Sequence, residues 1–282
     1  MKQINIGSDS LRHALLWIGL PLLVGLMFAS SITRPVVGVI RLDDAIHAYS
    51  ARSMIAQIEY AIEHPEIRAV VLALDSPGGT VVDTEAIYME LTRLREKKPV
   101  VTAVNGMSAS GAYYLSANTD YIYAKPTSLV GNVGVIGYLP STPFIFEDII
   151  STGPYKLWGA PRDSDMRQIE MIKQGFYEAV ILGRGERLRI GPETLLRGQI
   201  WIGTEALHIG VIDELGTETD AANKAADIAN VAHFDVIDLG TMVDLPPSST
   251  EFFIQSPQGI RLPYPNKAGI YMLYIPPLPV QE

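Results

Sequence analysis

Two hydrophobic patterns divide the chain. The first is an uncharged apolar run of nineteen residues, Ala14 to Ile32, long enough to cross a bilayer core as one helix. Lys2 and Arg12 precede it, and Arg34, Asp43 and Asp44 follow, a bias that puts the N-terminus inside and the rest of the chain outside. Pro21 predicts a kink. Ala29-Ser30-Ser31 offers the small residues of a signal-peptide cleavage site, but the run exceeds the usual length of such a segment. A retained anchor over 14–33 behind a short segment 1–13 is therefore expected.

The second pattern starts at Val36 and alternates strand and helix periods. Val36 to Leu42 reads as a strand, Ser53 to Glu63 as a helix with Ile55, Ile58 and Ile62 on one face, and Arg68 to Asp75 as a strand apolar on both faces. Asp83 to Arg95 reads as a helix, followed by strand Val100 to Val104, a small-residue helix after Ser110, strand Tyr121 to Ala124 and the Gly-rich run Leu129 to Gly137. Downstream lie a helical stretch from Ser164 to Leu188, a short strand Gln199 to Ile202, a helical turn Thr204 to His208, an Ala-rich helix Thr219 to Val231 and a last strand, Phe234 to Leu239. Repeated strand and helix units with short loops imply an α/β fold with right-handed crossovers over 35–240. After Gly240 eight prolines fall between Pro246 and Pro279. This predicts an extended extension, 241–282, with one edge strand at Ile270 to Ile275 that is free to lie in a neighbouring substrate groove.

Composition narrows the chemistry. The chain has 282 residues, 48% of them hydrophobic, enough for a full core. Its formal net charge of −9, without any dense Lys/Arg block, argues against a nucleic-acid surface. The absence of cysteine excludes disulfides, thiol catalysis and Cys-ligated zinc, and no two of the five histidines stand at ligand spacing. No metal or cofactor is expected.

Ser110 lies between a β-branched run and a small-residue helix, with its hydroxyl expected near backbone N–H groups that no intrahelical carbonyl satisfies. A serine nucleophile needs a base and donors for the developing oxyanion. Gly78 and Gly79, behind Pro77, can turn an N–H outward, and Gly111 supplies a second. No histidine obviously returns to this site. A desolvated lysine can replace it, and Lys156, beside Tyr155, Leu157 and Trp158, suits that role. Its residues alone fit a plain surface lysine equally well.

Several ordered motifs now count together: Asp75-Ser-Pro-Gly-Gly79, Ala109-Ser-Gly-Ala-Tyr-Tyr114, Asp120-Tyr-Ile-Tyr-Ala124, Gly131-Asn-Val-Gly-Val-Ile136, Tyr155-Lys156 with Gly159-Ala-Pro-Arg162, and Gly203-Thr-Glu-Ala-Leu with Gly210-Val-Ile-Asp-Glu-Leu-Gly216. In this order they resemble the signal peptide peptidase A family, membrane-anchored serine proteases of the Clp protease and crotonase fold with repeated ββα units. The resemblance covers about Val36 to Gly240. It implies Ser110 as nucleophile, Lys156 as general base, and an oxyanion hole at Gly79 and Gly111, with Gly78 beside them. Asn132 stands where the family often has a serine that holds the lysine amine. The resemblance further implies signal-peptide remnants and other unfolded or hydrophobic peptides as substrates, a homo-oligomer, and a single-pass cell-membrane protein with its catalytic domain on the extracytosolic side. Two other functions fit the same residues: a stomatin-associated membrane protease of this fold, and a crotonase-like membrane scaffold without catalysis.

Overall fold

A computed structural model of the chain describes residues 13, 15–31, 34–138, 152, 153, 155, 156, 159, 161, 163–244, 252–256 and 261–276. The apolar N-terminal run forms a π-helical turn, Leu15–Gly19, continuing into α1 (Leu20–Ser31). Leu15, Leu16, Trp17 and Ile18 are exposed. Among the described residues no helix is long and apolar enough to cross a membrane.

The centre of the molecule is a parallel sheet. Its strands are β1 (Val36–Leu42), β2 (Ile67–Ser76), β4 (Val100–Ala109), β5 (Tyr121–Ala124), β9 (Glu214–Leu215) and β10 (Asp235–Asp238), in the order β10-β1-β2-β4-β5-β9. β2 sits between β1 and β4 with Ala69 to Leu74 buried, which explains its apolar run without alternation. Helices α2 (Ala48–Glu63) and α3 (Val81–Arg95) bring Met54, Ile58, Ile87 and Leu91 onto one face, against Ile40, Leu72 and Leu74. Each such aliphatic side chain taken fully out of water contributes about 1.5–3 kcal/mol. The other face carries Val37, Val39, Val71, Ala73 and Val101 and is covered by α8 (Glu218–Ile228) through Ala221, Ala222, Ala225 and Ala226. A capping box starts α8: Asp220 accepts from the Thr217 backbone N–H and hydroxyl.

Several boundaries differ from the sequence expectation. α2 starts five residues before Ser53, because His47 Nδ1 accepts from the Tyr49 N–H while Ser50 Oγ accepts from the His47 N–H. β4 does not stop at Val104. It pairs with β5 as far as Val104, then with β6 (Leu129–Gly131) over Met107 to Ala109, so one strand serves two neighbours in turn. Its register with β2 jumps from Leu74↔Val104 to Ser76↔Ser108, an irregularity that re-aims the end of the strand. Residues Asn105 to Met107 break the β-branched pattern, which is why periodicity alone closes the strand early. In the C-terminal extension the expected edge strand is instead β13 (Gly269–Leu273), and it is central. It lies between β3 (Gly78–Thr80) and β7 (Ile136–Tyr138) in a three-stranded sheet. The prolines around it exclude helix but leave residues 269–273 free to donate hydrogen bonds on both sides. A separate hairpin pairs β11 (Phe253–Gln255) with β12 (Arg261–Pro265).

Beyond β7 come the long helix α5 (Asp163–Arg184), the short α6 (Pro192–Leu195), β8 (Ile200–Ile202), which pairs antiparallel with β6, and α7 (Gly203–Ile209). A buried ion pair ties α5 to the sheet. Arg184, 1% exposed, makes a bidentate contact to Asp213 at 2.8 and 2.9 Å and donates from Nε to the Gly210 carbonyl. Asp213 Oδ2 also accepts from the Ile122 backbone N–H. Removing one partner leaves the other charge buried and uncompensated. Asp213→Ala should therefore lower unfolding stability by about 3–5 kcal/mol, read as a shifted urea midpoint; an unchanged midpoint would show that the pair is not a tie of the fold.

Candidate active site

Ser110 occupies the single residue between β4 and α4 (Gly111–Ala117). Its backbone has φ 53° and ψ −117°, in the positive-φ half of conformational space that L-residues avoid. Two hydrogen bonds hold it there: its N–H donates to the Gly131 carbonyl at 2.8 Å, and its carbonyl accepts from the Tyr114 N–H at 2.9 Å. The first continues the β4–β6 ladder and the second belongs to the first turn of α4, so strand and helix together impose the turn. Such a residue costs of order 1–3 kcal/mol and persists only where its surroundings overdetermine it.

Beneath this turn, Ser108 Oγ and Ser116 Oγ lie 2.7 Å apart, and Ser116 Oγ also donates to the Ala112 carbonyl. Tyr113 is fully buried, with its hydroxyl donating to the Val211 carbonyl at 2.9 Å. Burial pushes that hydroxyl well above the ordinary tyrosine range, so it stays a neutral donor. Tyr113 is thus a brace for α4, as its place in a core helix suggests. Tyr114, half-buried against Tyr88 and Phe176, is pushed up to about 12 by burial, with Tyr88 and Glu85 adding to it.

The glycines that sequence reading singles out come together at Ser110. Gly78 has φ 89°, and a Cβ built on it would overlap the Met272 carbonyl oxygen and lie 2.6 Å from Gly111 N. Hence only glycine fits at 78, and the Gly78 and Gly111 backbones are immediate neighbours. A Cβ on Gly111 would meet Thr84 Oγ1 at 2.8 Å and the Met272 oxygen at 3.1 Å. Gly111 is the first residue of α4, so its N–H precedes the intrahelical ladder. Gly79 bridges in parallel to Ile46 on one side and pairs with Met272 on the other. Asn132 has φ 56°, directly after Gly131; its N–H donates to the Gln199 carbonyl and its Nδ2 to the Gly198 carbonyl, each at 2.7 Å. With the nitrogen committed, the acceptor end of this amide is the one turned away from Gly198.

Lys156 stands apart. It is exposed, in a turn where its N–H donates to the Gly153 carbonyl at 3.3 Å, and among the described residues no hydrogen bond joins it to Ser110 or Asn132. Leu157 and Trp158, part of its expected apolar setting, lie outside the described residues, and Tyr155 is 48% exposed. Sequence reasoning misses three groups that the fold brings to the site: Thr84, Ile46 and Met272. Only the last had any signal, the short apolar run from Ile270, and nothing local connects that run to Ser110.

Ser110 Oγ is buried and has no hydrogen-bond partner among the described residues. A buried orphan hydroxyl costs about 1–3 kcal/mol. Ser110→Ala is therefore expected to raise unfolding stability by about 1 kcal/mol, measured by urea titration; a variant less stable than the parent would show that the hydroxyl is structurally satisfied.

Comparison with family models matches residues 92–232 to peptidase family S49 and residues 35–129 to Clp protease. The chain is 34% identical over 208 residues to Protease 4 of Salmonella typhi, a match that covers 67% of this chain and 33% of that protein. It is 30% identical over 203 residues to a putative protease of Methanocaldococcus jannaschii, covering 67% and 65% of the two chains. Against a putative protease of Synechocystis sp. it is 31% identical over 229 residues, covering 76% and 82%. The matched stretch thus spans about a third of Protease 4 and somewhat under two thirds of the archaeal protein.

Proposed function

This chain belongs to peptidase family S49, and from that premise we propose that it is a serine endopeptidase with Ser110 as nucleophile and Lys156 as general base. The observation that carries the reading is the strained turn at Ser110, whose Oγ is buried without a hydrogen-bond partner among the described residues and whose next residue, Gly111, lies against the Gly78 backbone. A hydroxyl kept without a partner, on a residue held at an unfavourable φ, is a cost to folding with a use in attack on a carbonyl.

The reaction follows from these groups. Lys156, as the neutral amine, takes the Ser110 proton while Oγ attacks the scissile carbonyl. The carbonyl oxygen gathers negative charge and is held by the N–H groups of Gly79 and Gly111. The C–N bond then breaks, the lysine returns the proton to the leaving amine, and a water activated by the same lysine hydrolyses the acyl-enzyme. Asn132 positions the lysine amine through its amide oxygen.

Exposure of Lys156 in the single chain means that its desolvation comes from outside the chain's own core. A second copy packed over residues 152–161, or the substrate itself, supplies that cover, which favours a homo-oligomer. The exposed apolar residues from Leu15 to Val24 suit a bilayer, with the first segment inside and the catalytic unit outside. Signal-peptide remnants and other unfolded apolar segments released at the membrane are the substrates that suit such a protease.

The test is hydrolysis of an unfolded protein and of short apolar peptides by the full chain in detergent, beside Ser110→Ala and Lys156→Ala. Each variant should lose about 10⁴-fold or more in kcat while keeping its fold. Parental activity in Ser110→Ala would overturn the nucleophile, and parental activity in Lys156→Ala would overturn the base.

A further inference from the structure

A cleft of about 480 Å³ opens beside Asn132, the residue that follows Gly131. Val133, Ile136 and Ile169 give it apolar walls, and its charged groups are Glu170, Lys173 and Arg197. Two of these cancel. Lys173 Nζ lies 2.5 Å from Glu170 Oε2, three residues away on α5. Arg197 is different: it is exposed, and among the described residues its guanidinium has no ion-pair or hydrogen-bond partner. A guanidinium stays charged at every working pH. The cleft therefore carries one uncompensated positive charge, in a chain whose formal net charge is −9.

The backbone that presents Arg197 is fixed relative to the nucleophile. Gly198 has φ 70°, and its carbonyl accepts from Asn132 Nδ2, while the Gln199 carbonyl accepts from the Asn132 N–H, each at 2.7 Å. One residue earlier, the Gly131 carbonyl accepts the Ser110 N–H at 2.8 Å. Gly131 also pairs with Ile200, and a Cβ built on it would lie 2.6 Å from the Trp201 ring, so strands β6 and β8 meet there without slack. Ser110 is thus linked through Gly131 and Asn132 to the residue next to Arg197. The arginine stem can swing, but its anchor point cannot drift from the site.

We propose that Arg197 is a specificity-determining residue that receives a carboxylate of the substrate in this cleft, so that the preferred class is an apolar peptide with one acidic group close to the scissile bond. This rests on the protease reading and deepens it. The planar fork of a guanidinium matches a carboxylate with two parallel hydrogen bonds. Apolar walls on either side lower the local dielectric below that of open water and strengthen the pair. The same charge repels a lysine at that position, so discrimination comes from attraction and from repulsion together. An Asp or Glu side chain and a free C-terminal carboxylate are the two sources of this group.

The test reads binding without cleavage. Full-length Ser110→Ala in detergent is titrated with fluorescent apolar peptides in which one central residue at a time is Glu, Gln or Lys, each peptide made with a free and with an amidated C-terminus. At one position Glu should bind about tenfold more tightly than Gln, and Lys more weakly than either. In the Ser110→Ala/Arg197→Met chain the three should bind alike, and in Ser110→Ala/Arg197→Glu the order should reverse. A gain that follows the free C-terminus instead, and vanishes with Arg197→Met, assigns the terminal carboxylate as the bound group. Equal affinity for charged and neutral peptides, or an acidic preference that persists in Arg197→Met, would overturn the proposal. Turnover of an all-apolar peptide by the parent chain tests the protease reading separately, so the two failures remain distinguishable.

Discussion

The rest of the structure depends on one backbone constraint, the positive φ of Ser110 at the junction of β4 and α4. A serine held there must be gripped from both sides, and the fold supplies the grip. β4 is a central strand, paired with β2 along one edge and with β5 and then β6 along the other. The switch from β5 to β6 lets the last residues of β4 continue past the end of β5 and deliver Ser110 to Gly131. On the helix side, Tyr113 is anchored at Val211, two residues from the buried carboxylate of Asp213 that holds Arg184. Strand register, helix packing and a buried ion pair therefore converge on one turn. The strain at Ser110 is thus carried by a strand, a helix and an ion pair together.

Glycine has a specific use here. Gly78 and Gly111 lie so close together that neither tolerates a side chain, because each would run into the other's backbone, Thr84 or the strand between them. Bare backbone at both positions lets β3 and the start of α4 approach one another as closely as the Met272 carbonyl allows. The same nakedness leaves β3 as a short unprotected edge, and β13 pairs with it.

The lysine and the serine sit in contrasting surroundings. Ser110 is fully buried within one chain, whereas Lys156 stands in an exposed turn. A serine needs a rigid scaffold to hold its turn, and local packing provides that. A lysine base needs removal from water, and a surface turn gains that only when something packs on it.

Much of the fold is legible in sequence because its signals are local. The unbroken apolar run of β2 announces a strand covered on both faces, the Ala-rich stretch a helix at α8, and Gly78, Gly79 and Gly111 backbone that can take positive φ or turn an N–H outward. These follow from period, branching and φ preference, and the resemblance built on them reaches the family that the comparisons match. Tertiary structure alone decided where β4 ends, that α2 begins at a His47 cap, that Asn132 bonds to Gly198, and that a proline-flanked stretch becomes the middle strand beside Ser110. Each of these is a contact between segments far apart in the chain or a hydrogen bond of irregular backbone, and neither leaves a periodic trace. The run from Ile270 reads as a strand from its composition, but its partner is chosen by two bare glycines more than 190 residues earlier, through backbone groups that every residue carries.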